Sequence, residues 1–368
     1  MIKQQEKDKE RKTRVGISHG DLNGISYEII LKTLNDNRIL EMFTPVLYGL
    51  SKVLSYNRKN LNFNSFNYKV ISDASQVYNN RVNVINLNND EIKIEFGKST
   101  KLAGKLSFDA LERAVADLKN NKIDVLVTAP INKSNIQSEE FTFPGHTEYL
   151  AQCFNCETPL MLMVHNKLRI GTITGHIPLK DVSSQLSKEL IASKIKVLDA
   201  SLKKDFAIQR PKIAVLGLNP HAGDNGVIGD EDDLIIRPAI TEARKQGHLA
   251  YGPFPADGFF GSDEYTKYDA ILAMYHDQGL IPFKVLAFED GVNFTAGLPI
   301  VRTSPAHGTA YDKAGKNTAS PDSFRKAMYL AIDIYRNRLL FEDMNSNPLP
   351  IGTENNARNG NSRYNNRD

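Results

Sequence analysis

The chain has 368 residues, of which 41% are hydrophobic and 24% charged, and its formal net charge is +3. That length allows one large domain or two, with an extensive core, and the composition is that of a globular protein. The balanced charge gives no reason to expect nucleic acid or an anionic membrane as a partner. No apolar run approaches the about 20 residues that span a bilayer, and the charged N-terminus lacks the apolar segment of a signal peptide.

Two cysteines, Cys153 and Cys156, are too few for a disulfide scaffold. A redox pair or half of a zinc site would need a second cysteine pair or a basic flank, so two thiols on one helical turn are the simpler interpretation. So few cysteines fit a reducing compartment, and we predict a cytoplasmic protein.

Three predicted strands each lead into a histidine. The segments 169–175, 212–220 and 270–275 are typical of strands buried on both faces, and they are followed by His176, His221 and His276. Predicted strands alternate with predicted helices along the chain, which indicates an α/β fold with a mainly parallel sheet in each of two lobes. Open α/β sheets bind ligands at the carboxyl ends of their strands, which is where these imidazoles would lie.

The three histidines are candidate metal ligands. Neutral imidazole is a common ligand of zinc and similar divalent ions, and three protein ligands with one open position define a catalytic site. Any one of these residues alone would more often be a structural histidine. Asp257 and Asp277 are available to orient a ligand imidazole or to supply an oxygen ligand.

A second group of polar residues points to an anionic substrate. Lys284, Asn293 and Arg302 each follow an apolar segment, and His146 and Thr147 lie where a loop meets a helix. Cationic side chains with the free N–H groups of a helix N-terminus suit a phosphate or a carboxylate. Each residue also has a plainer interpretation, because Thr147 can cap its helix and the basic side chains can be surface charges. The same two interpretations apply to Lys133, which follows another predicted buried strand.

Seven segments of the chain resemble the 4-hydroxythreonine-4-phosphate dehydrogenase family, in register from about residue 14 to about residue 340. They are TAPINK (128–133), PGHTEYLA (144–151), TGHIPL (174–179), LNPHAGD (218–224), GPFPAD (252–257), YHDQGLIPFK (275–284) and GLPIVRTSPAHGTAYDKAG (297–315). Near the N-terminus the chain has GDLNGISYE where the family usually has GDPxGIGPE, so the shape of that loop is expected to differ.

The resemblance implies the fold of isocitrate and isopropylmalate dehydrogenases, with two α/β/α lobes and a cleft between them. We therefore expect a flexible leader at 1–13 and a discontinuous first lobe, on the cofactor side, at 14–135 and 300–342. The second lobe, on the metal and dimer side, is expected at 136–299, and a disordered tail at 343–368. The family's active site lies at the subunit interface of a homodimer.

The resemblance also implies roles for individual residues. The implied metal ligands, drawn from both subunits, are His176, His221 and His276. The implied substrate contacts are His146, Thr147, Lys284, Asn293 and Arg302. The implied contacts to the cofactor are His307, Gly308, Thr309 and Asp312.

The implied reaction is oxidation of 4-phosphohydroxy-L-threonine at C3 by NAD, followed by decarboxylation to 3-amino-2-oxopropyl phosphate, in pyridoxal 5′-phosphate biosynthesis. The metal is expected to be zinc, with magnesium or cobalt as alternatives, and NADP is the alternative to NAD. Asp277, Asp257 and Lys284 are the candidates for the base that accepts the hydroxyl proton.

Two other functions stay open at this point. A paralogous dehydrogenase of threonate or erythronate 4-phosphate would keep the same metal and phosphate residues and differ around the amino group. A non-catalytic metal- or phosphate-binding protein on the same scaffold is the third hypothesis, although it would not need to retain every one of these side chains.

Overall fold

The computed structural model describes residues 11–347, which form an α/β fold around one large sheet. The strands of this part of the chain are β1 (Thr13–Ser18), β2 (Phe43–Gly49), β3 (Tyr68–Ile71), β4 (Val82–Asn86), β5 (Val125–Thr128), β6 (Leu160–His165), β7 (Leu168–Thr172), β8 (Lys212–Leu216), β9 (Leu249–Phe254), β10 (Ala270–Ala273), β11 (Val292–Ala296) and β12 (Arg302–Pro305). The α-helices are α1 (Ser26–Leu34), α2 (Ile39–Met42), α3 (Ser51–Asn60), α4 (Lys101–Lys119), α5 (His146–Cys153), α6 (Val182–Gln185), α7 (Lys188–Lys204), α8 (Arg237–Lys245), α9 (Ala256–Gly261), α10 (His276–Ala287) and α11 (Asp322–Asn345).

The described strands form a single twelve-stranded sheet in the order β3-β4-β2-β1-β5-β12-β11-β6-β7-β10-β8-β9. Pairing is parallel from β3 to β12 and again from β7 to β9. The pairs β12–β11, β11–β6 and β6–β7 are antiparallel and join the two parallel halves. The predicted α/β class is confirmed. The strands that were expected to form a separate sheet in each of two lobes belong to one continuous sheet. The lobe boundaries themselves stay a prediction.

Central strands are buried on both faces, as their apolar sequences predict. Every residue of β2, β5 and β10 is buried. Helices cover both faces of such a sheet, so the strand sequences need no polar alternation. Helix α4 begins at Lys101, and the hydroxyl of Thr100 caps it by accepting from the backbone N–H of Ala103.

Several local expectations were wrong. Helix α3, which was not predicted, occupies residues 51–60 and buries Val53 and Leu54 against the core. The strand predicted over 270–275 ends earlier, at Ala273, and His276 is the first residue of helix α10. Strand β12 was not expected, and Arg302 is its first residue.

The ends of the described range also differ from expectation. Thr13 already belongs to β1, and Arg11 forms an ion pair with Asp124 at 2.7 Å, so residues 11–13 are not a free leader. Helix α11 continues to Asn345, which places residues 343–345 in the helix rather than in the tail. Residues 1–10 and 348–368, on which the rest of those two predictions falls, lie outside the described residues.

Within residues 11–347, none of the helices combines the length and the apolar character that crossing a bilayer requires.

Close packing of α4 gives a test of the fold. A Cβ added to Gly104 would lie 1.9 Å from the backbone oxygen of Asn135, which precedes α5. We therefore expect Gly104→Ala to lower the free energy of unfolding by about 1–3 kcal/mol, although alanine normally stabilises a helix interior by about 1 kcal/mol relative to glycine. The matched control is Gly258→Ala in α9, where a Cβ would meet no heavy atom within 4 Å. Urea unfolding that ranks the two variants in the opposite order would contradict this packing.

Candidate active site

Two of the three predicted metal ligands meet at one edge of the sheet. Strands β7, β10 and β8 are parallel neighbours, so their carboxyl ends reach the same edge. His176 follows β7 and His276 opens α10 directly after β10, and the centroids of their imidazole rings are 5.1 Å apart. Nδ1 of His276 lies 2.7 Å from Oδ1 of Asp277, a contact that fixes the orientation of this ring.

His221 does not join this pair within the same chain. It lies in the 3₁₀ turn Pro220–Gly223 after β8, with φ at +55°, and its side chain is exposed. The cavity that His176 and His276 line does not include it. Among residues 11–347, no three His, Cys, Asp or Glu side chains of one chain are placed to hold a metal ion. One copy of the protein therefore supplies two of the three predicted ligands.

A buried carboxylate fixes the loop that carries His221. Asp232 is fully buried and accepts hydrogen bonds from the backbone N–H groups of Leu218 and Asn219 at 2.9 and 3.0 Å. Ala222 and Asp224 share the left-handed conformation of His221, so the chain reverses tightly at this point. This loop holds His221 at the surface, and the residue does not line the cavity of its own chain.

The residues predicted to bind an anion line a cavity of about 300 Å³ that also includes the histidine pair. At its base Arg302 is only 2% exposed. Its guanidinium donates to the hydroxyl of Thr128 at 2.7 and 3.1 Å and to that of Thr295 at 3.4 Å. Burial lowers the pKa of Arg302 to about 10, against a smaller opposing effect of Glu148, so the side chain stays cationic near neutral pH.

His146, Thr147 and Asn293 line the same cavity. Nε2 of His146 and Oδ1 of Asn293 are buried and have no hydrogen-bond partner among the described residues. Buried polar atoms are normally paired, so unpaired atoms that face a cavity suit a ligand. Burial, together with Arg302 and Lys133, holds the pKa of His146 well below its ordinary value of 6.5, and its imidazole is neutral near pH 7.

Helix α10 runs along the cavity from the histidine pair, here called the metal side, toward the residues predicted to bind an anion, here called the anion side. His276, Leu280 and Lys284 follow one another at intervals of four residues and all line the cavity. Side chains at this interval share one helix face. The rise of 1.5 Å per residue separates the first and last of them by about 12 Å along the axis.

The two candidate carboxylate bases lie elsewhere. Asp257 and Asp277 line a separate groove with Ile281 and Val285, on the outer side of α10. Both are exposed. Of the three predicted bases, Lys284 is the one that lines the cavity of its own chain.

The predicted cofactor loop is only partly at the cavity. His307 and Gly308 line it, whereas Asp312 is exposed at the surface. The carbonyl of Thr309 accepts from the backbone N–H of Ile25 at 3.1 Å, which ties this loop to the glycine-bearing loop after β1. A Cβ on Gly24 would lie 2.7 Å from that carbonyl, so the approach requires glycine.

Sequence reasoning missed the residues that hold these loops and the base of the cavity. Asp21 is fully buried and accepts from the hydroxyl of Tyr311 and the amide of Asn135, each at 2.8 Å. Thr128 and Thr295, the partners of Arg302, were not singled out either. Thr128 could have been identified from the sequence, because it lies at the end of a buried strand. The role of Asp21 could not, because its two partners are distant in the chain.

The α/β fold holds a buried arginine, unpaired polar atoms and a histidine pair around one cleft. This combination is typical of a binding protein or an enzyme for a small anionic molecule. The family model described as Pyridoxal phosphate biosynthetic protein PdxA matches residues 41–331, and the chain belongs to this family. The family resemblance read from the sequence is thus confirmed.

Named relatives cover nearly the whole chain. The 4-hydroxythreonine-4-phosphate dehydrogenase of Bacteroides thetaiotaomicron is 53% identical over 341 residues, 92% of this chain and 93% of that protein. A protein of Oceanobacillus iheyensis, provisionally named D-threonate 4-phosphate dehydrogenase, is 36% identical over 327 residues, 88% of this chain and 98% of that protein. The crystal structure of 4-hydroxythreonine-4-phosphate dehydrogenase from Klebsiella pneumoniae has a TM-score of 0.75 at 35% identity, covering 88% of this chain and 98% of that one.

The neutral state of His146 gives a pH test of the site. The folded protein keeps this imidazole unprotonated, while the unfolded chain takes up a proton below the ordinary histidine pKa of 6.5. On acidification the unfolded state therefore binds more protons, and the free energy of unfolding falls. We expect His146→Asn to lose less stability than the unmodified protein between about pH 7 and about pH 5.

Urea unfolding at several pH values measures this difference. Above about pH 7.5 both states of the histidine are neutral, so the two proteins should show the same pH dependence there. Equal slopes in the acidic range as well would contradict a neutral, buried His146.

Proposed function

We propose that this chain oxidises the C3 hydroxyl of 4-phosphohydroxy-L-threonine with NAD and releases CO2, forming 3-amino-2-oxopropyl phosphate for pyridoxal phosphate biosynthesis. The observation that carries the proposal is the cavity in which the buried cation of Arg302 and the unpaired atoms of His146 and Asn293 lie near a pair of imidazoles. The names of the most similar relatives support the choice of substrate.

The phosphate is assigned to the anion side of the cavity. Arg302 supplies a buried, permanent positive charge, and Lys284 supplies a second from α10. The first turn of α5 offers backbone N–H groups beside the hydroxyl of Thr147. Neutral His146 acts here as a hydrogen-bond donor without adding charge. Together these groups fix the position of C3 relative to the imidazoles.

The imidazole pair fits a divalent metal. His176 and His276 present two nitrogen ligands at one place, and Asp277 orients His276. His221 of a second copy would be the third ligand, since this residue, in the loop after β8, does not line the cavity of its own chain. A divalent cation held there, zinc first and magnesium or cobalt as alternatives, supplies Lewis-acid polarisation of the C3 oxygen.

A homodimer with the active site at its interface is supported by exposed apolar side chains near all three histidines. Leu179 is 71% exposed after His176, and Val227 is 80% exposed after His221. On α10, which His276 begins, Ile281 and Val285 are 62% and 79% exposed. Apolar groups concentrated in this way mark interaction surfaces. A two-fold axis through this surface would bring each His221 toward the cavity of the other copy.

The cofactor is assigned to the loop that begins at His307. Nε2 of His307 is buried without a partner among the described residues, and Gly308 lines the cavity next to it. The anchored loop after β1 holds this segment in place through Thr309. NAD, with NADP as the alternative, supplies the hydride acceptor. Asp312 lies at the surface and would touch only an outer part of such a cofactor.

In the balanced reaction C3 transfers a hydride to NAD and its hydroxyl gives a proton to a base. The bond from C2 to the carboxylate then breaks to release CO2, and C2 takes up a proton to form 3-amino-2-oxopropyl phosphate. Lys284 lines this cavity, but it could accept the hydroxyl proton only as the neutral amine, so the charged phosphate contact assigned to it excludes it as the base. Asp257 and Asp277 face the outer groove and would reach a substrate only across the dimer interface.

D-threonate 4-phosphate is the second candidate substrate, because relatives at 36% identity are provisionally named for it. Steady-state turnover of 4-phosphohydroxy-L-threonine and of the threonate and erythronate 4-phosphates, each with NAD and with NADP, separates the alternatives. We expect kcat/KM to be at least about tenfold higher for the amino acid, because hydrogen-bonding pockets discriminate strongly between polar groups. A higher value for threonate 4-phosphate would establish the alternative.

Chelation followed by addition of zinc, magnesium or cobalt completes this experiment. Activity should disappear with the metal and return with it. If no substrate reduces either nucleotide under any of these conditions, the dehydrogenase proposal is rejected in favour of a binding function.

A further inference from the structure

Lys133 lies at the metal side of the cavity, although the proposed function gives it no role. It belongs to the loop after β5, and its Nζ lies 3.1 Å from Nε2 of His176. The ring of His176 is in turn 5.1 Å from that of His276. The ammonium group is therefore beside the place where the reacting carbon is assigned.

The groups assigned to phosphate form a separate set. Thr147 and Thr295 are joined by their hydroxyl groups at 3.5 Å, and the guanidinium of Arg302 donates to the same Thr295. Lys284 is two helical turns along α10 from His276. Lys133 makes its hydrogen bond to an imidazole and not to any of these residues. Lys133 contacts His176 and is also near enough to His146 to lower the pKa of that imidazole, so it lies close to both sets of residues, whereas Lys284 and Arg302 are the cations assigned to the phosphate.

The proposed substrate has two anionic groups, a phosphate at one end and a carboxylate at the other. Arg302 and Lys284, with the neutral donors around them, account for the phosphate. Among the described residues that line the cavity, Lys133 is the remaining lysine or arginine. We propose that Lys133 binds the substrate carboxylate, the group that departs as CO2. This inference rests on the proposed function.

The local packing leaves room for this contact. A Cβ on Gly145, at the start of α5, would lie 3.7 Å from Cε of Lys133 and 3.5 Å from Oε2 of Glu148. The lysine stem and the carboxylate of Glu148 therefore both lie close to Gly145. A cation and an anion on this side of the cavity complement the carboxylate and the ammonium of an amino acid.

The contact matters for the order of events. The carboxylate is on C2, next to the carbon that is oxidised, and an ion pair to Lys133 holds that end while the hydride leaves C3. When the C2–carboxylate bond breaks, its electron pair passes toward the C3 ketone and neutral CO2 loses its attraction to the ammonium. Lys133 thus favours binding of the substrate over binding of the decarboxylated product.

Calorimetric binding in the absence of nucleotide tests this without turnover. The two ligands are 4-phosphohydroxy-L-threonine and 3-amino-2-hydroxypropyl phosphate, which differ by the carboxylate alone. Lys133→Met keeps the length of the side chain and removes its charge. We expect the Kd of the substrate to rise about tenfold to a hundredfold, the range for one charge-assisted hydrogen bond, and that of the analogue to stay unchanged.

Lys284→Met is the matched control, and it should weaken both ligands because it removes a phosphate contact. Lys133→Arg should retain most of the difference in Kd between the two ligands, because arginine keeps the positive charge. Metal content is measured for every variant, because Lys133 contacts His176.

Two results would overturn the assignment at constant metal content. Equal weakening of both ligands by Lys133→Met would place Lys133 on the phosphate, and no change for either would remove it from the substrate site. If the unmodified protein binds neither ligand, the proposed function fails first and the carboxylate assignment fails with it.

Discussion

A buried guanidinium whose hydrogen-bond partners among residues 11–347 are hydroxyl groups is the constraint on which the site depends. Arg302 lies inside the sheet, and its hydrogen bonds go to Thr128 and Thr295 on the neighbouring strands. Removing a charged group from water costs several kcal/mol unless an opposite charge offsets it. Within the cavity Glu148 is near enough to raise the pKa of Arg302, but burial has the larger effect and lowers it. A phosphate or carboxylate is the partner this arrangement favours.

The order of the strands explains why the histidine pair and the residues around Arg302 lie along one cavity. Adjacent parallel strands β7, β10 and β8 bring three loops to one edge, but loop conformation then decides where each histidine points. The left-handed turn at His221, anchored by Asp232, separates this residue from the other two. The proposed metal site with three histidine ligands would therefore need a second copy. The exposed apolar residues that follow these histidines in the chain support the proposed dimer.

The sequence was informative wherever a local pattern determines structure. Continuous apolar runs predicted the buried strands, and a polar group after such a run marked the edge at which His176 and His276 meet. It was not informative where distant contacts decide the outcome. The strand β12 is short, and Arg302 is buried because its neighbours β5 and β11, far away in the chain, supply hydroxyl groups. Asp277 was recognised as a polar residue next to a ligand, but the helical turn that directs it outward could not be read from composition.

Mixing two inactive variants tests most directly whether two copies share each active site. His221→Ala and His276→Ala should each be inactive alone. Co-expressed, they should recover about a quarter of the unmodified activity, because half of the dimers are mixed and each mixed dimer has one intact site. The control mixture of His176→Ala with His276→Ala should recover nothing, since both side chains come from the same copy. No recovery in the first mixture, or equal recovery in both, would contradict the account.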